Sequence, residues 1–167
     1  MAFFRSDDGS RLDPRGGSAN PVDRAPVGDR MGLELSNLLL AAYMTGVIWV
    51  VQLVHYPLFA AVGAAAWPAY EATHRRRVTV VVGPPMLAQP VVAAALLAER
   101  PGLPSALNLG LTASLLLFTV AVFGRLHDRL GITFIPSVHR RLLRLNALRT
   151  AAWTAQTAVS VALLVTA

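Results

Sequence analysis

From Leu35 to Tyr70 the chain carries no Asp, Glu, Lys or Arg, and a second uncharged run extends from Val78 to Ala98. A membrane crossing needs about 20 apolar residues, so each run is long enough for one. The first predicts a helix over 34–62, kinked at Pro57 just after His55 and Tyr56. It leaves 63–70, with Trp67 and Pro68, as an interfacial connection, because Trp and Tyr favour headgroup level. A charged knot, Glu71 to Arg77, precedes the second predicted helix, 78–98, whose regularity should be broken by Gly83-Pro84-Pro85 and Gln89-Pro90. Two more apolar stretches predict helices over 105–124 and 137–166. A tight turn, Glu99 to Pro104, and a polar connection, Arg125 to His139, lead into them. The expected fold is all-α, an up-and-down bundle of four transmembrane helices.

Residues 1–30 break the pattern. They hold five Arg, five Asp, three Pro and four Gly with almost no apolar periodicity, the composition of a disordered tail. Met31 follows directly, so translation is expected to start there, with the tail as an extension. The first residues lack an apolar core and cleavage site, and no cleaved signal peptide is expected.

Composition agrees with a membrane domain. Mean hydropathy is +0.52 and 14% of the 167 residues are charged, where a soluble domain carries about 25%. The net charge of +6 comes from arginine alone, since there is no lysine. No stretch interleaves arginines with aromatics as a nucleic-acid groove does, so nucleic acid is not an expected partner. Membrane lipids are. Arg75, Arg76, Arg77, Arg125, Arg129, Arg140, Arg141, Arg144 and Arg149 fall on one side of a four-span topology; by the positive-inside rule that side is cytoplasmic and both termini lie outside. With no cysteine, thiolate zinc sites, iron–sulfur clusters and covalently attached haem are excluded.

Chemistry concentrates in the histidines. His55, His74, His127 and His139 all fall toward the cytoplasmic side, and imidazole is both costly in a bilayer and a common metal ligand. His55 interrupts a charge-free run, whereas His127 reads more readily as a solvated loop residue. His139, Asn146, Arg149 or Thr150, and Trp153 recur at helical spacing, a polar stripe that should face the bundle interior. Gln89 near mid-membrane, with Tyr43 and Gln52 in the first helix, completes the set of intramembrane polar groups. Apart from Glu34 at the very start of the first helix, the expected spans contain no Asp or Glu, which weakens ion-transporter readings. No phosphate-binding loop, GxSxG or HExxH motif occurs.

Several of these residues also carry a resemblance. The run Val51-Gln52-Leu53-Val54-His55-Tyr56-Pro57-Leu58-Phe59, Tyr70 with His74 and Arg77, Pro85-Met86-Leu87, and His139 followed by Asn146, Arg149, Thr150 and Trp153 resemble the signature of a bacterial four-helix integral membrane protein family. The likeness spans residues 35–156. It implies a plasma-membrane location and, through members that look like membrane-bound non-haem iron oxygenases forming azoxy groups from hydrazines in natural-product clusters, a metal-dependent oxidoreductase. One departure stands out: Gln89 occupies a position where the family pattern has Glu. If that carboxylate binds metal in relatives, a two-iron site is harder to build here; Glu71, next to His74, and Asp128 are the nearby carboxylates that could substitute.

The residues and the resemblance together give an expected centre of non-haem iron, one or two ions, with copper or zinc also compatible with imidazole. His55, His74 and His139 are the expected ligands, joined by Gln89 and Glu71. Arg149 and Asn146 would orient a small or amphiphilic substrate, and Tyr56 and Trp153 would wall its pocket. The competing expectation is a non-catalytic membrane helper, a lipid- or ligand-binding protein, or a small transporter, in which these groups are packing glue. A homo-oligomer is compatible with either.

Overall fold

The computed structural model describes residues 27–166, and all of its regular structure is helical. The expected tail therefore lies outside the described residues, apart from its end at 27–30, which is helical. In chain order the elements are α1 (Val27–Val50), a π-helical turn (Val51–His55), α2 (Tyr56–Leu58), a 3-10 turn (Phe59–Ala61), α3 (Trp67–Glu99), α4 (Leu103–Phe118), a second π-helical turn (Thr119–Phe123), α5 (Gly124–Leu130) and α6 (Pro136–Val165). The short pieces continue the long ones, so the chain forms four antiparallel rods. Three of them, Arg30–Ala61, Trp67–Glu99 and Leu103–Leu130, are long and apolar enough to cross a membrane.

Their packing is inverted relative to a soluble bundle. Only 22% of the most apolar window of each of these three helices is buried, and residues such as Leu39, Leu53, Val80, Leu87, Val91 and Leu117 face outward. The interior combines buried apolar side chains such as Met44, Leu96 and Leu142 with buried amides. Asn37 Nδ2 donates to Asn108 Oδ1 at 3.1 Å and lies 2.9 Å from Ser160 Oγ, while Gln156 Nε2 donates to the same Asn108 oxygen at 2.6 Å. Lipid tails are as apolar as leucine, so burying leucine gives no drive for association; interhelical hydrogen bonds and close packing supply it.

The prolines are absorbed differently from the sequence expectation. α3 runs unbroken through Pro84, Pro85 and Pro90. Pro85 has no N–H for the carbonyl of Val81, and Tyr43 Oη supplies the missing donor at 3.3 Å. At Pro57 the carbonyl of Leu53 loses its partner in the same way, and the helical ladder shifts through the π turn Val51–His55, where the Tyr56 N–H reaches back to the Val51 carbonyl.

Two boundaries also differ. The helix carrying Glu71, His74 and Arg75–Arg77 begins at Trp67, so this segment is helix rather than a charged loop. Trp67 is fully buried, its Nε1–H donating to the Leu130 carbonyl at 2.6 Å, instead of lying at headgroup level. The third rod likewise continues as α5, which puts His127 on a helix. In both places the charge marks where a helix leaves the apolar zone, while backbone hydrogen bonding carries it further.

Candidate metal centre

Four chain segments meet at the arginine-rich end of the bundle. The end of the first rod supplies His55, Tyr56 and Phe59; the first turns of α3 supply Glu71 and His74; α5 supplies His127; and the first turn of α6 supplies His139. Phe59 is fully buried at their centre. Its ring centroid lies 5.2 Å from that of His55, 5.1 Å from His74, 6.4 Å from His127 and 6.2 Å from His139. All four histidines thus converge on one phenyl ring.

Three side chains form the tightest constellation. One ligand atom each from Glu71, His74 and His127 lies within 4.8 Å of the others, and all three residues are buried. His127 Nδ1 is 2.6 Å from Glu71 Oε1, and its Nε2 is 3.1 Å from Tyr56 Oη. A neutral imidazole satisfies both: Tyr56 O–H donates to Nε2, and Nδ1–H donates to the carboxylate. His74 Nδ1 is 2.7 Å from His55 Nε2, while His74 Nε2 and Glu71 Oε2 are buried with no hydrogen-bond partner. If His74 donates its Nδ1–H to His55, its Nε2 presents a bare lone pair, the state in which imidazole binds metal.

The two orphaned atoms make the fit test for a metal concrete. Unpaired buried acceptors cost about 1–3 kcal/mol each, and a cation would satisfy both. Two imidazoles and one carboxylate are hard-to-intermediate donors, suited to iron, zinc or copper. Glu71, His74 and His127 would hold the ion. His55 would then orient His74, since metal-bound histidines commonly have their second ring nitrogen fixed by a neighbour.

This set departs from the one expected from sequence. His55 contacts His74 and stands outside the three-residue group. His139 Nε2 donates to the Tyr56 carbonyl at 2.8 Å, which ties α6 to α2 and places this histidine outside the group as well. Gln89 is about 22 Å further along α3 than His74 at 1.5 Å per residue; it is fully buried beside Asn37, with its Nε2 3.4 Å from the Asn37 carbonyl. A metal shared with the histidines is therefore out of its reach. Asp128 pairs at the surface with Arg75 at 2.7 Å. His127, expected in a solvated loop, is buried and central. A usable signal was present: Glu71-Ala72-Thr73-His74 is a Glu-x-x-His pair, which on a helix puts both side chains on one face.

The interior stripe of α6, His139, Asn146, Arg149, Thr150 and Trp153, is buried throughout. Arg149 Nη2 and Nε lie 2.8 and 3.2 Å from Asn146 Oδ1, and Asn146 Nδ2 donates to Gln52 Oε1 at 2.7 Å. The guanidinium also stacks over Phe123, 3.8 Å from the ring centroid. Arg149, Tyr56, His127 and Trp153 line an interior cavity of ≈ 260 Å³. A larger open groove of ≈ 830 Å³ runs between α1 and α3 past Tyr43, Gly46 and Val47 to His55 and His74. No family model matches this chain, and neither does any curated protein or solved structure.

Proposed function

We propose that this protein is an integral membrane, metal-dependent oxidoreductase of the non-haem iron oxygenase class, acting on a small or amphiphilic substrate. The observation that carries the reading is the buried Glu71–His74–His127 group, which has two unpartnered polar atoms and borders a cavity through His127. Two histidines and one carboxylate with open positions are a donor set used by non-haem Fe(II) oxygenases, and the resemblance in residues 35–156 points to the same class. Bound iron would supply the one-electron steps that dioxygen chemistry requires. The chain itself contributes a hydrogen-bonded path at the cavity wall, in which Tyr56 O–H donates to His127 Nε2 and orients that ring; His127 would exchange its bond to Glu71 for the ion. Apolar walls from Met44, Ile48 and Val82 exclude water from that path.

The test is metal content. Tag-free protein purified in mild detergent and reconstituted anaerobically with Fe(II) is expected to retain about one ion per chain after desalting, measured by plasma mass spectrometry. Retention of none, with iron, zinc or copper, would sink the proposal. The competing reading has its own support, because the Tyr56–His127–Glu71 chain is already hydrogen-bonded. On that reading the residues only lock the rods together, and the protein is a non-catalytic membrane partner.

We also place α6 across the membrane as a fourth span. Its 30 residues rise about 45 Å, and beyond Leu145 it buries Asn146, Arg149, Thr150, Gln156 and Ser160. Arg75–Arg77, Arg125, Arg129, Arg140, Arg141 and Arg144 then cluster at the histidine end, which the positive-inside rule puts in the cytoplasm. At the opposite end Arg100 pairs with Glu34 at 3.2 Å. The chain has no cysteine, so a single Arg129→Cys is informative. A membrane-impermeant maleimide should label it in inverted vesicles and leave it unlabelled in intact cells; the opposite pattern reverses the topology.

A further inference from the structure

The cavity beside the centre is largely apolar, and one wall carries donors. Arg149 is buried inside the bundle, yet none of the ion pairs among the described residues involves it. Asn146 occupies Nε and Nη2, and a neutral amide oxygen leaves the charge uncompensated. Two further polar atoms on the same cavity lining have no partner: Trp153 Nε1, on a side chain 1% exposed, and Thr119 Oγ1. An isolated buried cation is strongly unfavourable, and an unpaired indole N–H adds about 1–3 kcal/mol. A buried cation met only by neutral groups, with two unpartnered polar atoms on the same lining, describes an anion site.

The surroundings narrow the anion further. Guanidinium presents paired N–H groups that match the two oxygens of a carboxylate. Phe123 beneath the guanidinium and Asn146 behind it fix the fork before any ligand arrives, and Gln52 fixes Asn146 in turn. Met44, Ile48, Val82 and Met86 make much of the remaining lining apolar, and Tyr56, Arg75, Thr79 and His127 complete it. The volume of ≈ 260 Å³ lies just below the range of about 300–1,000 Å³ typical of drug-sized ligands. Both π-helical turns contribute to the lining, through Val51 and through Thr119, Val120 and Phe123, and such turns are frequent at functional sites.

We propose that this cavity binds a small carboxylic acid as its anion, with Arg149 as counter-ion, Trp153 Nε1–H as second donor and the apolar wall holding a short hydrocarbon body. That the acid is the substrate rests on the enzyme reading above; that the cavity binds it does not. The probes are hexanoate and benzoate against hexanamide and benzamide, titrated into detergent-solubilised protein kept in EDTA, with binding followed by calorimetry. EDTA separates this result from the metal question. The acids should bind saturably, with the amides weaker by at least about tenfold, the scale of a lost charge-assisted hydrogen bond. Arg149→Gln should remove the difference between acid and amide. Trp153→Phe, which keeps most of the ring but lacks the N–H, should weaken the acid by about three- to tenfold and leave the amide less affected. Equal affinity for acid and amide in the wild type overturns the proposal, as does a preference that survives Arg149→Gln. Affinity that climbs steadily through dodecanoate also overturns it, since that is the behaviour of a long-chain lipid in an open groove rather than a small acid in a confined cavity.

Discussion

Phe59→Ala is expected to lower the apparent unfolding temperature in detergent by about 10 °C. Truncating a fully buried phenylalanine costs about 3–5 kcal/mol, part of it from the cavity left behind, and about 2–4 °C accompanies each kcal/mol at this chain length. The cavity term matters most here. Phe59 touches the rings of His55, His74, His127, His139, Tyr56, Trp67 and Tyr70. Those rings come from several chain segments and cannot collapse together without breaking the hydrogen bonds that orient them. Phe59→Leu keeps most of the volume and should cost a fraction as much. The loss should also appear in metal retention, because the phenyl ring separates histidines that would otherwise pair in new ways. A shift of only a few degrees, with metal retention intact, would mean that Phe59 fills space without organising the centre.

The bundle was legible because membrane burial imposes a coarse rule: charge-free runs of sufficient length must be helical. The inward stripe on α6 followed from helical spacing alone, since His139, Asn146, Arg149 and Trp153 share a face wherever the helix sits. What failed was the assumption that helices stop where charges begin. His127 falls in an expected loop, so one histidine of the two-histidine, one-carboxylate group is missing from the expected ligands, although Glu71 and His74 are among them. Gln89 joins the expected ligands through the family resemblance, as the position where that pattern has Glu, although helical rise alone separates it from His74 by about 22 Å. Rotation about each helix axis and the contacts of Phe59 depend on packing between segments distant in sequence. No local pattern encodes them.

Glu71→Gln is the substitution that separates the two roles the centre supports. The amide keeps an oxygen for the Nδ1–H of His127, so the 2.6 Å contact and the link to Tyr56 can persist. It loses the negative charge and a good metal-binding oxygen. Affinity for Fe(II) should therefore fall by at least about a hundredfold, the upper end of what changing a residue outside the ligand set costs, while thermal stability of the metal-free protein changes little. His74→Ala should abolish retention as well, through loss of the unpartnered Nε2. His139→Ala should retain the ion, because its Nε2 is committed to the Tyr56 carbonyl. Proton competition adds a check: ligands must be deprotonated to bind, so wild-type affinity should rise with pH. If Glu71→Gln instead unfolds the protein while metal content never exceeds background in the wild type, the charge serves the His127 hydrogen bond. The four histidines then form a structural clasp at the arginine-rich end of the bundle.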